Sequence, residues 1–112
     1  MNLPDREPTR EEVDAWPGLV LLEFGATWCG YCRAAAPGIA EALREHREVR
    51  HVQVEDGPGK PLGRSFRVKL WPTLVFLREG TPVAQLVRPE NAEVREGFAT
   101  LAAIDPPHTE SP

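Results

Sequence analysis

Apolar and polar positions recur with different periods along the chain, and each period predicts an element. Residues 19–24 are apolar except at Glu23, which is typical of a strand covered on both faces, as in parallel sheets. From Cys29 to Glu45 the apolar positions return at helical spacing, which predicts an amphipathic helix. Residues 49–54 then alternate valine with polar side chains, the period of a half-buried strand.

The second half of the chain predicts a hairpin followed by a helix. Residues 55–61 are rich in Gly and Pro and indicate a loop, with one helical turn at 62–66. Two β-rich runs, 73–77 and 82–87, are joined through a segment that contains a glycine, so they are expected to pair antiparallel. Residues 91–104 again show helical spacing.

A short first helix is indicated near the amino terminus. Thr9 and Glu12 have the spacing of a capping box, and Pro17-Gly18 end the segment. The order helix, strand, helix, strand, hairpin, helix predicts an α/β fold with a four-stranded mixed sheet and helices on both faces. A right-handed crossover makes the first two strands parallel neighbours.

The 112 residues have room for a single domain. We expect a flexible segment at 1–8, the folded domain at 9–105, and a disordered tail at 106–112 after two prolines end the last helix.

Charge and hydropathy exclude several classes of partner. Thirteen basic and 17 acidic side chains give a net charge of -4, which disfavours nucleic acid and anionic lipid. The longest apolar run, residues 19–22, is far shorter than a bilayer span, and residues 1–7 lack the apolar region of an export signal. The expectation is a cytoplasmic monomer, with an exported compartment as the alternative if a leader has been removed.

The strongest chemical signal is the pair of cysteines in Cys29-Gly30-Tyr31-Cys32. Cys29 precedes a predicted helix, where unpaired N–H groups and the helix dipole favour a thiolate. Cys32 lies one turn further in, is expected to be less accessible than Cys29, and is placed to attack a mixed disulfide formed by Cys29. This spacing predicts that Cys29 is the nucleophile and Cys32 the resolving thiol.

Two other interpretations of the cysteine pair remain open. A zinc site would need two further ligands, and the chain offers His46, His51 and His108 for them. The cysteines would alternatively be small apolar residues of the core. The apolar interpretation does not explain the tryptophan before the pair or the glycine within it, and we expect no metal and no cofactor.

The block Trp28-Cys29-Gly30-Tyr31-Cys32, followed by Pro37 and later by Trp71-Pro72-Thr73, resembles the thioredoxin family over residues 19–104. The resemblance implies a thioredoxin-like fold and dithiol exchange with disulfides of protein substrates. It also implies that a thioredoxin reductase or a small thiol restores the dithiol. Because the same scaffold hosts several activities, a reductant is the main expectation. The alternatives are an isomerase or oxidase of an exported compartment, or a binding module switched by its cysteines.

The resemblance assigns further residues to the site. Pro72 is expected to follow a cis peptide bond beside the dithiol, with its flanking backbone pairing with substrate, and the alternative is an ordinary trans proline. Glu23 occupies the position of a buried acid in the family and would take the proton of Cys32, unless it points to solvent. For His51 a solvated strand face is expected, and the alternative is a place near Glu23 on the adjacent strand.

Three positions depart from the family pattern. Tyr31 stands where reducing thioredoxins have proline, and the resulting motif resembles that of some bacterial disulfide isomerases. Trp71 is larger than the usual residue, so its indole would cover Cys29, stack on a bound peptide, or only fill the core. Arg88 falls where the family has glycine, which suggests a narrower set of partners, an acidic partner or a glutathione carboxylate, or a solvated surface residue. The expected substrate-binding residues are Trp28, Gly30, Tyr31, Trp71, Pro72, Thr73 and Arg88.

Overall fold

The structure is a computed structural model that describes residues 6–103. Its sheet has four strands in the order β2-β1-β3-β4, with β1 parallel to β2 and antiparallel to β3, and β3 antiparallel to β4. The predicted mixed sheet is therefore confirmed. The elements in chain order are α1 (Arg10–Asp14), β1 (Leu19–Gly25), α2 (Gly30–Glu45), β2 (Arg50–Glu55), α3 (Pro61–Ser65), β3 (Thr73–Arg78), β4 (Thr81–Val87) and α4 (Asn91–Ala103).

The predicted capping box begins α1. The Thr9 hydroxyl accepts the Glu12 N–H at 3.1 Å, and the Glu12 carboxylate accepts the Thr9 N–H at 2.9 Å. Arg6 also pairs with Glu12 at 2.7 Å. The hydrogen bond from Arg6 is the largest of the contacts that lower the pKa of Glu12 to about 2. The flexible segment at 1–8 stays a prediction, because residues 1–5 lie outside the described part.

The sheet has an apolar core on each face. Val20 and Leu22 of β1 point into one core, which α1 and α3 cover. Leu21 points into the other core with Phe76 and Phe98, between the sheet and the helices α2 and α4. Alternate residues of one strand thus enter opposite cores, which explains the nearly continuous apolar run and confirms helices on both faces.

The hairpin between β3 and β4 turns at one end of the sheet. Glu79 and Gly80 both have positive φ, 51° and 78°, as a two-residue hairpin turn of the favoured hand requires. A Cβ at Gly80 would overlap the carbonyl of Asp14, so the turn packs directly against α1. The Glu79 N–H also donates a hydrogen bond to the Gly18 carbonyl at 2.9 Å.

Strand register brings the two halves of the site together at the other end of the sheet. β1 ends at Gly25, and α2 begins five residues later at Gly30. Phe24 of β1 lies opposite Thr73, the first residue of β3. Because β1 and β3 are antiparallel, the segment before β3 meets the loop that follows β1. The predicted tail at 106–112 lies outside the described residues.

Candidate active site

The two cysteines lie at the amino end of α2 as free thiols. Cys29 is the N-cap residue, and its Sγ accepts the backbone N–H of Cys32 at 3.2 Å. A helix N-terminus has backbone N–H groups without a partner inside the helix, so this bond stabilises negative charge on the Cys29 sulfur. The two residues are exposed to almost the same extent, 5% and 6%. The expected difference in accessibility is absent, and hydrogen bonding and charge distinguish the two thiols.

The Cys32 thiol resists ionisation. Burial is the largest cause that raises its pKa, to about 12, and the neighbouring Cys29 and the charge of Glu23 add to it. Cys32 is therefore a neutral thiol near pH 7, and it needs a base before it can attack a disulfide. This asymmetry fits the roles predicted for an attacking and a resolving cysteine.

Glu23 lies in β1 beneath this helix end and is buried, with 3% of its surface exposed. The interpretation in which it points to solvent is therefore wrong. Its Oε1 lies 2.7 Å from Nε2 of His51 and accepts a 3.4 Å hydrogen bond from Gln53. Both partners come from β2, which pairs with β1 in a parallel register that sets Glu23 beside Gln53. The expectation that His51 lies on a solvated strand face is also wrong.

The segment before β3 completes the site from the other side. The Trp71–Pro72 peptide bond is cis, as the resemblance implied, and the carbonyl of Trp71 lies 4.0 Å from the Cys29 sulfur. Thr73 is fully buried, and its hydroxyl donates to the Leu70 carbonyl at 2.7 Å. The backbone on both sides of Pro72 is thereby held beside the dithiol.

Two indoles flank the dithiol. Trp71 packs both against the cluster of Cys29 and Cys32 and against the core under α3, so it covers sulfur and fills core at once. Its Nε1 donates to Asp56 at 2.9 Å, which fixes the ring. Trp28 meets Trp71 edge-on at 5.4 Å between ring centroids and is itself 68% exposed. An exposed ring at this place offers contact area to a bound peptide.

Arg88 bridges the two sides of the site, although it is exposed. Its N–H donates to the Pro72 carbonyl and its Nε to the Trp71 carbonyl, both at 2.9 Å. Its guanidinium lies 3.8 Å from the centroid of the exposed Tyr31 ring. Arg88 has φ 47°, the left-handed region where glycine is favoured. Arg88 is therefore an exposed surface residue, as one interpretation had it, and it also contacts the Trp71 carbonyl and the Tyr31 ring.

The structure thus gathers all ten residues expected at the site around the end of β1. Gly30 joins them as the exposed first residue of α2. Sequence reasoning missed the roles of Gln53 and Asp56, and it ranked the contact of His51 with Glu23 below a solvated strand face. The parallel pairing of β1 and β2 was predicted, but its register was not, and the register sets His51 and Gln53 next to Glu23.

The two described histidines that were weighed as zinc ligands have other partners. His51 contacts Glu23, whereas His46 stacks on Phe98 and lies 3.8 Å from Glu48. Residues 6–103 contain no group of three or more His, Cys, Asp or Glu side chains placed to hold a metal ion. His108 lies outside the described residues. Among residues 6–103, no helix has both the length and the apolar character needed to cross a bilayer.

Comparison with known proteins gives one consistent answer. The family model for thioredoxin matches residues 5–99. The chain belongs to the thioredoxin family. A solved structure of thioredoxin 2 from Pseudomonas aeruginosa, in its reduced form, is 52% identical, covers 90% of this chain and 94% of its own, and has a TM-score of 0.79. A thioredoxin from Aspergillus fumigatus is 32% identical over 77% of this chain and 81% of its own length.

More distant relatives agree. The structure of a Fasciola hepatica thioredoxin is 28% identical, covers 73% of this chain and 79% of its own, and has a TM-score of 0.66. The chain is therefore a thiol:disulfide oxidoreductase, and the comparisons favour protein-disulfide reduction over the isomerase and binding-module alternatives. The family needs no cofactor beyond the dithiol of its active site.

Proposed function

We propose that the chain reduces disulfide bonds of other proteins, with Cys29 as the attacking thiol and Cys32 as the resolving thiol. One observation carries these roles. The sulfur of Cys29 accepts the N–H of Cys32 at the start of α2, while the pKa of Cys32 is raised to about 12. One sulfur accepts a hydrogen bond at the start of the helix, and the other thiol is kept protonated until a base removes its proton.

In the first step the Cys29 thiolate attacks one sulfur of the substrate disulfide. A bond forms between Cys29 and that sulfur, and the second substrate sulfur leaves as a thiolate, which takes a proton from solvent. The product is a mixed disulfide between Cys29 and the substrate.

In the second step the Cys32 proton passes to the Glu23 carboxylate, and the Cys32 sulfur attacks Cys29. The Cys29–Cys32 disulfide forms, and the remaining substrate sulfur leaves and is protonated. The substrate has gained two electrons and two protons, and the dithiol has lost them. His51, 2.7 Å from Glu23 and partly exposed, offers a path along which that proton reaches solvent.

The substrate chain lies against the backbone on either side of Pro72. Trp71 and Thr73 provide that backbone, and it stays in place because the Thr73 hydroxyl and Asp56 anchor it. Trp28, Gly30 and Tyr31 border the same opening, since all three are exposed beside the dithiol. Arg88 lies across it.

The oxidised dithiol must be reduced again, and we infer a thioredoxin reductase or a small thiol as the donor. The net reaction then runs toward reduction in a reducing compartment such as the cytoplasm, where the chain acts as a monomer. The segments at 1–8 and 106–112 flank the catalytic domain.

Reduction of insulin disulfides by dithiothreitol, followed as turbidity, tests the assignment. Cys29→Ser should abolish the acceleration over dithiothreitol alone, because the attacking sulfur is lost. Cys32→Ser should accumulate a mixed disulfide with substrate, detectable by mass spectrometry under non-reducing conditions. A mixed disulfide formed through residue 32 in Cys29→Ser, with none formed by Cys32→Ser, would reverse the two roles.

The reduction potential of the Cys29–Cys32 pair tests the direction of the reaction. Tyr31 between the cysteines is the observation that favours an isomerase instead. Equilibration with glutathione buffers should give a value near about -270 mV, as for thioredoxin. A value near about -180 mV or higher, as for protein disulfide isomerase, would contradict the reductase proposal.

A further inference from the structure

Two cavities flank the Trp71–Pro72 peptide where substrate is proposed to lie, and cationic side chains line both. The first, of about 440 Å³, lies between Tyr31, Pro72 and Arg88. We call it the Arg88 cavity. The second, of about 370 Å³, lies on the Trp71 side and is bordered by Lys60, Arg64 and Lys69. We call it the Lys69 cavity.

Arg88 has most of its hydrogen-bonding capacity unused. Of its five N–H groups, only the one on Nε has a partner among residues 6–103, the Trp71 carbonyl. That bond and the stacking on Tyr31 hold the planar guanidinium in place. A fixed guanidinium with free N–H groups is matched to a carboxylate, which it binds through two parallel hydrogen bonds.

The cations of both cavities lack anionic partners within the described chain. No carboxylate of residues 6–103 lies within ion-pairing distance of Arg88, Lys60, Arg64 or Lys69. Two acidic residues do border the cavities. Asp56 already accepts the Trp71 indole N–H, and Glu90 lines the Arg88 cavity without pairing with the guanidinium.

The sequence around Pro72 is also rich in basic residues. Residues 57–78, which include the segment around Pro72, carry five basic side chains and no acidic one, although the chain as a whole has a net charge of -4. Three of the five, Lys60, Arg64 and Lys69, border the Lys69 cavity beside Trp71. Such local charge attracts an oppositely charged partner and fixes its orientation.

The backbone of Arg88 supports a role for its side chain. Its φ of 47° lies in the left-handed region, which is unfavourable for a residue with a Cβ and which glycine adopts freely. Glycine in this place would leave the Trp71 carbonyl and the Tyr31 ring uncovered. This chain instead places a guanidinium over both groups, although the backbone conformation at this position favours glycine. Unfavourable backbone conformations of this kind occur often at functional sites.

We propose that this chain selects protein disulfides whose reactive cysteine is flanked by acidic residues. A carboxylate on one side of the cysteine binds Arg88, and one on the other side meets the cations of the Lys69 cavity. The proposal rests on the proposed function, because it names the substrate class for the same site.

Matched disulfide-linked peptides test the selection. One peptide carries glutamate on both sides of its cysteine, and its partner carries glutamine there, so that only charge differs. At low ionic strength kcat/KM for reduction should be at least about fivefold higher for the glutamate peptide, as an ion pair with a hydrogen bond predicts. The preference should fall toward one in 1 M salt.

Charge variants locate the effect. Arg88→Gln should cut the preference for glutamate by about threefold or more, and Arg88→Lys should restore part of it, because lysine keeps the charge without the planar fork. Lys69→Gln should reduce the preference through the residue on the other side of the cysteine. Arg47→Gln is the control: Arg47 is exposed beyond the far end of the 16-residue helix α2, so this change should leave the preference unaltered.

Several results would overturn the selection. Equal kcat/KM for the two peptides would do so, as would a preference that Arg88→Gln and Arg47→Gln change equally. Reduction of glutathione disulfide in preference to the glutamate peptide would show a small-molecule carboxylate as the ligand instead. If neither peptide is reduced, the proposed function fails. In that case the Kd values of peptides with serine in place of cysteine test the binding of acidic peptides separately. Equal Kd values for glutamate and glutamine would refute it.

Discussion

The α2-facing side of β1 has two ends that differ in chemistry. At one end Leu21 is fully buried among Phe76, Phe98 and other apolar side chains. Two residues further along the same strand, on the same face, Glu23 is buried almost as completely, with His51 and Gln53 as its partners. We call these the apolar end and the acid end.

The difference separates stability from reactivity along one strand. The apolar end stabilises the fold because its side chains leave water and pack without polar atoms that need partners. A buried carboxylate makes no such contribution and often costs stability. It is placed where its charge raises the pKa of Cys32, the thiol that loses its proton in the proposed mechanism.

The largest expected effect comes from truncation at the apolar end. Leu21→Ala should lower the free energy of unfolding by about 2–5 kcal/mol, because it leaves a cavity among packed side chains. Urea unfolding followed by tryptophan fluorescence measures this. The reduction potential of the dithiol should stay at the wild-type value, and a shifted potential would show that the two ends are coupled.

Loss of the histidine at the acid end should have a smaller effect on stability. His51→Ala removes the nearest partner of a buried carboxylate, which predicts a loss of about 1–3 kcal/mol. The double variant Glu23→Gln with His51→Ala should recover part of this loss, because no buried charge is left unpaired. Urea unfolding of the two single variants and the double variant gives the coupling free energy. Additive losses would mean that the 2.7 Å contact contributes nothing to stability.

Replacing the acid itself should act mainly on the rate. Glu23→Gln should slow release of substrate from the mixed disulfide severalfold near pH 7, since Cys32 loses the base that takes its proton. With the pKa of Cys32 raised to about 12, its thiolate becomes more abundant as pH rises. The deficit should therefore shrink at alkaline pH. Stopped-flow measurement of the resolving step between pH 6 and 10 checks this, and equal rates across that range would refute the proton role.

The smallest expected effect concerns the cover over the attacking sulfur. Trp71→Ala should speed alkylation of Cys29 by iodoacetamide about twofold to threefold, because the indole packs against the dithiol. Trp28→Ala, which removes the more exposed neighbouring ring, serves as the comparison. The covering role of Trp71 would be contradicted by an unchanged alkylation rate in Trp71→Ala.

Much of the fold follows from local patterns. The capping box at Thr9 and Glu12, the apolar strand 19–24 and the glycine in the hairpin turn all predict elements that the structure contains. Helix ends and strand periods depend on neighbouring residues, so sequence alone reveals them. The cysteine spacing likewise places both thiols at the start of α2 without any knowledge of the rest of the molecule.

The contacts that tune the site depend on tertiary structure. His51 reaches Glu23 only because the parallel register of β1 and β2 sets their side chains on one face, and alternation along a strand cannot reveal that register. Arg88 meets Tyr31 and the Trp71 carbonyl because β4 ends beside the segment before β3. The sequence by itself determined the cysteine pair and the elements that hold it, since both depend on spacing. Tertiary structure decided their partners, because residues distant in sequence become neighbours only when the sheet forms.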